Sequence, residues 1–298
     1  MIYHPIWSPV KGGGELMVKP AKKLNSKEEE LKMRKALILG LALVFVMGMT
    51  AMVGANNHLD GPWYVDTSEY TGLGLEVNAE ILQLGNDDLA EINQQGNHQA
   101  FIGQGYEFTL GAYGDSFQSE AFIDQMGHDN EAVIGQRGEM NFADIDQSGI
   151  ENYAGVGQDG DLMTADINQH AYDSFVRASQ FGGEDSEVIV NQFGHLNRVR
   201  TRQEGDNHFA EVYQAEESDW NYANIEQAGN DQDAFINQAG MHNGAYINQQ
   251  GAWNRAGVDQ DGDYNEATIN QDAYGLSGLI TQEGNSNVGT INQTGGGE

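Results

Sequence analysis

From residue 77 to residue 293 the side chains follow a period of two. Apolar or amide residues take every second position over short runs, and a polar stretch, usually with glycine, separates one run from the next. Asn152-Tyr-Ala154-Gly-Val156-Gly-Gln158 and Asn243-Gly-Ala245-Tyr-Ile247-Asn-Gln249 show the pattern, which Asn141-Phe-Ala143-Asp-Ile145-Asp-Gln147 and Asn265-Glu-Ala267-Thr-Ile269-Asn-Gln271 repeat. Alternation of this kind is strand periodicity, because successive side chains of a strand point to opposite faces. The Asn, Ala, Ile/Val and Gln slots are therefore read as the inward row, and the Asp, Glu, Asn, Arg, Tyr and Phe between them as the outward row. Gly149, Gly160, Gly229, Gly240, Gly251 and Gly262 lie two residues after a slot Gln, where a tight turn needs a positive φ.

The runs themselves recur. Gln83, Gln94, Gln104, Gln125, Gln136, Gln147, Gln158, Gln169, Gln180, Gln192, Gln203, Gln214, Gln227, Gln238, Gln249, Gln260, Gln271, Gln282 and Gln293 are mostly 11 residues apart. Gly114 fills the Gln slot in the one long gap, which gives about 20 units of strand plus turn. The predicted fold is all-β. Alternate units form two facing parallel sheets of a β-solenoid with amyloid-like coils of about 22 residues, some ten coils rising ~50 Å at the cross-β spacing.

Ala and Ile suit a narrow, dry gap between two sheets. Buried amides are costly alone but acceptable when an identical amide lies one coil above and below. Gln136, Gln158 and Gln180 are expected in one such ladder and Gln147 and Gln169 in the other, with Asn141, Asn152, Asn221, Asn243, Asn254 and Asn265 forming further rungs. Each unit has almost no core of its own, so stability must come from its neighbours. The first unit (Val77, Ala79, Ile81, Gln83) and the last (Asn287, Gly289, Ile291, Gln293) are ordinary repeats rather than caps, so open strand edges are expected at both ends.

The run Gln147-x-Gly149-x-x-Asn152-x-Ala154-x-x-x-Gln158, repeated at Gln238, Gly240, Asn243, Ala245 and Gln249, resembles the repeat of curlins, the subunits of bacterial curli fibres. The resemblance covers residues 76–298. Where curlin repeats often carry Ser, this chain mostly carries Asn, though Ser119, Ser174 and Ser186 keep Ser. The resemblance implies a strand–turn–strand β-solenoid, secreted across the outer membrane of a Gram-negative bacterium, that self-assembles into extracellular amyloid fibres for biofilm matrix and surface adhesion. It implies as partners further copies of the chain, a nucleating subunit and an outer-membrane export pore. A monomeric acidic solenoid that binds a ligand, as an adhesin does, is the alternative.

Upstream of the repeats the layout is that of an exported protein. Met33-Arg34-Lys35 precedes the apolar run Ala36–Met47, and Val53-Gly54-Ala55 ends in a small residue suited to cleavage. A run of about 12 apolar residues is too short for a spanning helix. The expected organisation is a non-native upstream extension at 1–32, a signal peptide at 33–55, a leader at 56–75 and the repeat solenoid at 76–298. The mature chain is then not membrane-embedded.

Net charge is −31, and residues 56–298 hold 41 Asp and Glu against six Arg and no Lys. A polyanion of this kind excludes nucleic acid as a partner. The 298 residues contain no Cys, which excludes disulfides and thiolate sites. The eight His show no ligand spacing, and His98 and His208 stand in Asn slots. Asp159-Gly160-Asp161 and Asp261-Gly262-Asp263 are turn carboxylates whose hard oxygens suit calcium, but the EF-hand and Gly-Gly-x-Gly-x-Asp patterns are missing and solvation is the expectation. No metal, cofactor or catalytic residue is assigned, and no enzyme motif is present. Arg198, Arg200 and Arg202 alternate outward along one strand, either balancing neighbours such as Glu226 or contacting an acidic face of another filament. Phe142, Tyr153, Tyr222, Phe235 and Tyr246 are expected to pack across strands.

Overall fold

Short alternating runs with a turn every 11 residues cannot bury their apolar side alone, and here each buries it against the run that follows. The computed structural model describes residues 79–295 apart from 84, 85, 108–111, 114 and 115. The upstream extension, signal peptide and leader inferred above lie outside the described residues. All described elements are strands, and every pairing in the stack is parallel. No helix among the described residues is long and apolar enough to cross a membrane.

The chain winds as a two-sheet β-solenoid. Strands such as Tyr153–Asp161, Phe175–Glu184, Arg198–Asp206 and Tyr222–Asn230 stack in register to form sheet A. The intervening strands Phe142–Ile150, Thr164–Tyr172, Glu187–His195 and Phe209–Gln214 form sheet B. Two longer strands, Leu89–Gln104 and Glu120–Glu139, run through a turn and add a unit to each sheet. Register partners are usually 22 residues apart, as in Gln136 against Gln158 and Gln147 against Gln169.

The core is two facing rows of Ala and Ile/Val. Ala143, Ile145, Ala165, Ile167, Ala223, Ile225, Ala245 and Ile247 are all at most 1% exposed. In the middle of sheet A large and small exchange places: Val176 precedes Ala178, and Val199 precedes Thr201. The gap between the sheets stays filled, as close packing requires.

One expectation is corrected. The stack has nineteen units, not twenty, because Gln94 sits directly against Gln125 and Gln104 directly against Gln136. No layer remains for a unit centred on residue 114, itself outside the described residues. A Gly in that slot would leave the buried amides on either side without partners, at about 1–3 kcal/mol each. The chain leaves the stack instead: Tyr106–Glu107 pairs antiparallel with Ala112–Tyr113, and Ser116–Phe117 rejoins beside Gly138–Glu139. Outward-facing Phe101 and Val133 in this region are buried, at 1% and 8% exposure.

Candidate functional site

The inward row that carries the repeat also carries its most specific chemistry. Each slot Gln but the last of each sheet donates from Nε2 to Oε1 of the Gln one coil onward, at 2.7–3.0 Å throughout. The ladder in sheet A joins ten glutamines, from Gln83 through Gln104, Gln136, Gln158, Gln180, Gln203, Gln227, Gln249 and Gln271 to Gln293. That in sheet B joins nine, from Gln94 through Gln125, Gln147, Gln169, Gln192, Gln214, Gln238 and Gln260 to Gln282. Most Nε2 atoms also reach a backbone carbonyl: Gln180 donates to Thr164 O (3.1 Å) and Ser186 O (2.8 Å). Every donor points toward the C-terminal end, so both ladders have the same polarity.

The Asn slots work differently from the amide rungs expected. Asn152 Nδ2 donates to Ser148 O (3.2 Å) four residues back and to Ala171 O (2.7 Å) in the next coil, while Oδ1 accepts the backbone N–H of Ser174 (3.2 Å). Asn141, Asn243 and Asn254 make the same three bonds. Asn221 and Asn265 likewise donate to the next coil, at Gly240 O and Gly284 O, and accept its backbone N–H at Asn243 and Asn287. The Asn side chain is shorter by one methylene, so it reaches the turn backbone rather than the amide above it.

That bond back across four residues explains a feature with no composition signal. Most turns have two left-handed positions. The first is the Gly at Gln+2: Gly149, Gly229, Gly240, Gly251 and Gly262 have φ of 92–123°. The second, at Gln+4, is held by almost any residue, including Met140, Glu151, His242 and Trp253, with φ of 56–61°. A left-handed non-glycine conformation is strained, and at these four positions the Asn that closes the turn across it offsets the cost. Gly160 departs from its expected role, because its φ is not positive. The facing turn carries an additional residue at Gly182-Gly183, and a Cβ on Gly160 would lie 2.4 Å from Gly183 O. Close approach, not backbone sign, demands glycine there.

His98 and His208 are buried in their Asn slots, with Nε2 against Gln95 O (3.0 Å) and Glu204 O (3.1 Å). Asp161 and Asp263 accept the backbone N–H of Glu139 (2.7 Å) and Met241 (2.9 Å), so they brace the preceding coil. No group of three acids or histidines among the described residues is arranged to hold a metal.

The outward rows place aromatics in contact one coil apart: Tyr153 on Phe175 (4.9 Å between centroids), Tyr222 on Tyr246 (5.3 Å), Phe209 on Phe235 (5.4 Å) and Phe122 on Phe142 (5.9 Å). They also sort charge by sheet. On sheet B, Asp144 stacks on Asp166 and Asp124 on Asp146, in a groove of about 330 Å³ that Glu91 also lines. Burial pushes the Asp144 carboxyl up to about 6, with Asp166, Asp146 and Asp124 adding to the effect. On sheet A, Arg177 stacks on Arg200, and Arg198 lies over the Phe175 ring at 4.9 Å. Burial lowers the Arg177 pKa, Tyr153 opposes this and Arg200 reinforces it. Arg202 faces Glu226 in register but pairs with Glu204 (3.2 Å) in its own strand. The two opposed charge columns were missed in sequence, although the recurrence of like residues 22 or 23 positions apart signals them.

A family model described as the curlin associated repeat matches the chain three times, at residues 119–149, 138–170 and 240–272. No curated protein matches the chain.

Proposed function

We propose that this chain, a curlin-repeat protein, is a structural subunit that polymerises end to end into an extracellular curli-type amyloid fibre serving biofilm matrix and adhesion. The observation that carries the reading is the polarity of the two amide ladders. At the last described coil Gln293 Nε2 donates, among the described residues, only to Ser277 O, at 3.1 Å. At the first, Gln83 Oε1 accepts no hydrogen bond among the described residues. The two ends of the described stack are unlike and complementary in the Gln83–Gln293 ladder, so one copy's donor end fits the next copy's acceptor end. Such a contact is heterologous and does not close, which generates filaments, and the accompanying open strand edges template further strands. The repeat architecture leaves the chain a structural role, not a catalytic one. Its partners are other copies of itself, with a nucleating subunit and an outer-membrane export pore as the family resemblance implies.

Negative-stain electron microscopy of residues 56–298 diluted from denaturant tests this. Unbranched filaments whose fragments seed fresh protein without a lag are expected. A β-rich monomer that persists for days would overturn the polymer and leave the monomeric binding solenoid.

A further inference from the structure

We propose that sheet A of one solenoid docks sideways on sheet B of a second copy, the Arg177–Arg200 column seating against the Asp144–Asp166 column. The proposal rests on the filament reading above and names the lateral contact between filaments.

Three observations carry it. First, all four residues occupy the same repeat position, three before a ladder Gln (180, 203, 147 and 169). That position lies between the two inward apolar slots, so it runs up the midline of each outer face. Copies in the same orientation, related by a sideways translation, bring one midline onto the other. Second, the columns match in pitch and nearly in height. Each is two residues stacked in register on adjacent coils, and Asp166 and Arg177 are 11 residues apart on opposite faces of one coil. A stagger of about one and a half coils, ~7 Å at the cross-β spacing, aligns both pairs. Third, each column is a like-charge stack in register. Asp144 and Asp166 face one another with Asp124 and Asp146 beside them, and Arg177 and Arg200 face one another on the other sheet. Bidentate Arg–carboxylate pairing across two faces answers both. The rest of the repeat region is strongly acidic, so two copies repel elsewhere and charge complementarity selects this register.

The test uses R177E/R200E and D144K/D166K, each grown to filaments at low salt and imaged, with light scattering read on the same samples. Wild-type filaments are expected to bundle and to separate as salt rises toward 0.5 M, which screens contacts beyond about 4 Å. Each variant alone is expected to give single filaments elongating within twofold of the wild-type rate. Mixing the two filament populations is expected to restore pairs, because the lysine face of one meets the glutamate face of the other. Bundling that survives in either variant, or no association on mixing, overturns the proposal. If R177E/R200E does not polymerise, the milder D144N/D166N decides: single filaments support the contact and intact bundles refute it. If the wild-type chain never forms filaments, the polymer reading fails alone, and sedimentation velocity still tests the contact. A salt-sensitive dimer abolished by D144N/D166N supports it, and a monomer overturns it.

Discussion

Replacing Gln180 by Leu isolates what an amide rung contributes. Gln180 is fully buried; its two Nε2 hydrogens are shared among Thr164 O, Ser186 O and Gln203 Oε1, and its Oε1 accepts from Gln158 Nε2 at 2.9 Å. Leu keeps most of the volume and none of the bonds. Some partners survive the loss: Ser186 O still accepts the Thr164 amide (2.8 Å), and Gln158 Nε2 still reaches Phe142 O (2.9 Å). Gln203 Oε1 does not, since Gln180 supplied its donor and the residue is 1% exposed. An orphaned buried acceptor costs about 1–3 kcal/mol, and a half-satisfied Gln158 adds about 1 kcal/mol more. The net expectation is ~3 kcal/mol, and because the site is mid-stack it also divides a one-dimensional array into two cooperative blocks. Gln293→Leu at the open edge, where the residue is part-exposed, should cost under ~1 kcal/mol. Guanidinium unfolding of the soluble solenoid followed by circular dichroism reads both, with a second transition expected in Gln180→Leu alone. Equal, small losses in the two variants would falsify the claim that the ladder is a buried, mutually satisfied network.

Other perturbations have definite signs. Thr201 sits in an Ile/Val slot at 3% exposure with Oγ1 unpartnered; Thr201→Val should stabilise by about 1 kcal/mol, read as a higher denaturant midpoint. A Cβ on Gly229 would lie 1.8 Å from Gly251 O at φ 123°, whereas one on Gly157 meets nothing within 4 Å. Gly229→Ala is therefore expected to lose several kcal/mol and Gly157→Ala to be neutral or slightly stabilising, measured in the same unfolding assay. Asp144 has a folded pKa of about 6, above its ordinary value, so the folded chain binds its proton more tightly. Its contribution is complete below about pH 4 and is lost as pH rises through about 6. Acidifying from pH 7 to 4.5 should therefore stabilise the solenoid by on the order of 1 kcal/mol, the half-exposed site being screened. Asp124 and Asp166 are raised as well and act in the same direction. Asp144→Asn should flatten that rise, and a midpoint that falls on acidification in the wild-type chain would contradict the assignment.

The period of two, set inside a period of eleven, was enough to read the architecture. Ala143, Ile145 and Gln147 are inward because only alternation leaves them on one face, and the spacing of their recurrence gives the coil. Counting failed at residues 105–117, where apolar alternation continues with Gly114 in the Gln slot; periodicity reports which residues could be buried, not whether a rung partner waits for them. The turns were half legible. Glycine at Gln+2 announces a positive φ, but Glu151, His242 and Trp253 at Gln+4 do not, because the Asn five residues past the Gln holds them there. The Asn seam was misjudged for a related reason: composition shows an amide, while the length of the side chain decides whether it meets another amide or the backbone. The opposed charge columns depend on which coils stack, which only the register reveals.

The central claim is that one chain makes many layers of the stack. Mass per unit length of single filaments, measured by scanning transmission electron microscopy on unstained fibres, tests it most directly. The solenoid predicts one chain per roughly 45 Å, the rise of nine to ten coils. One chain per ~4.8 Å layer, as when separate chains stack flat in register, would give about tenfold more mass per length and would contradict the account.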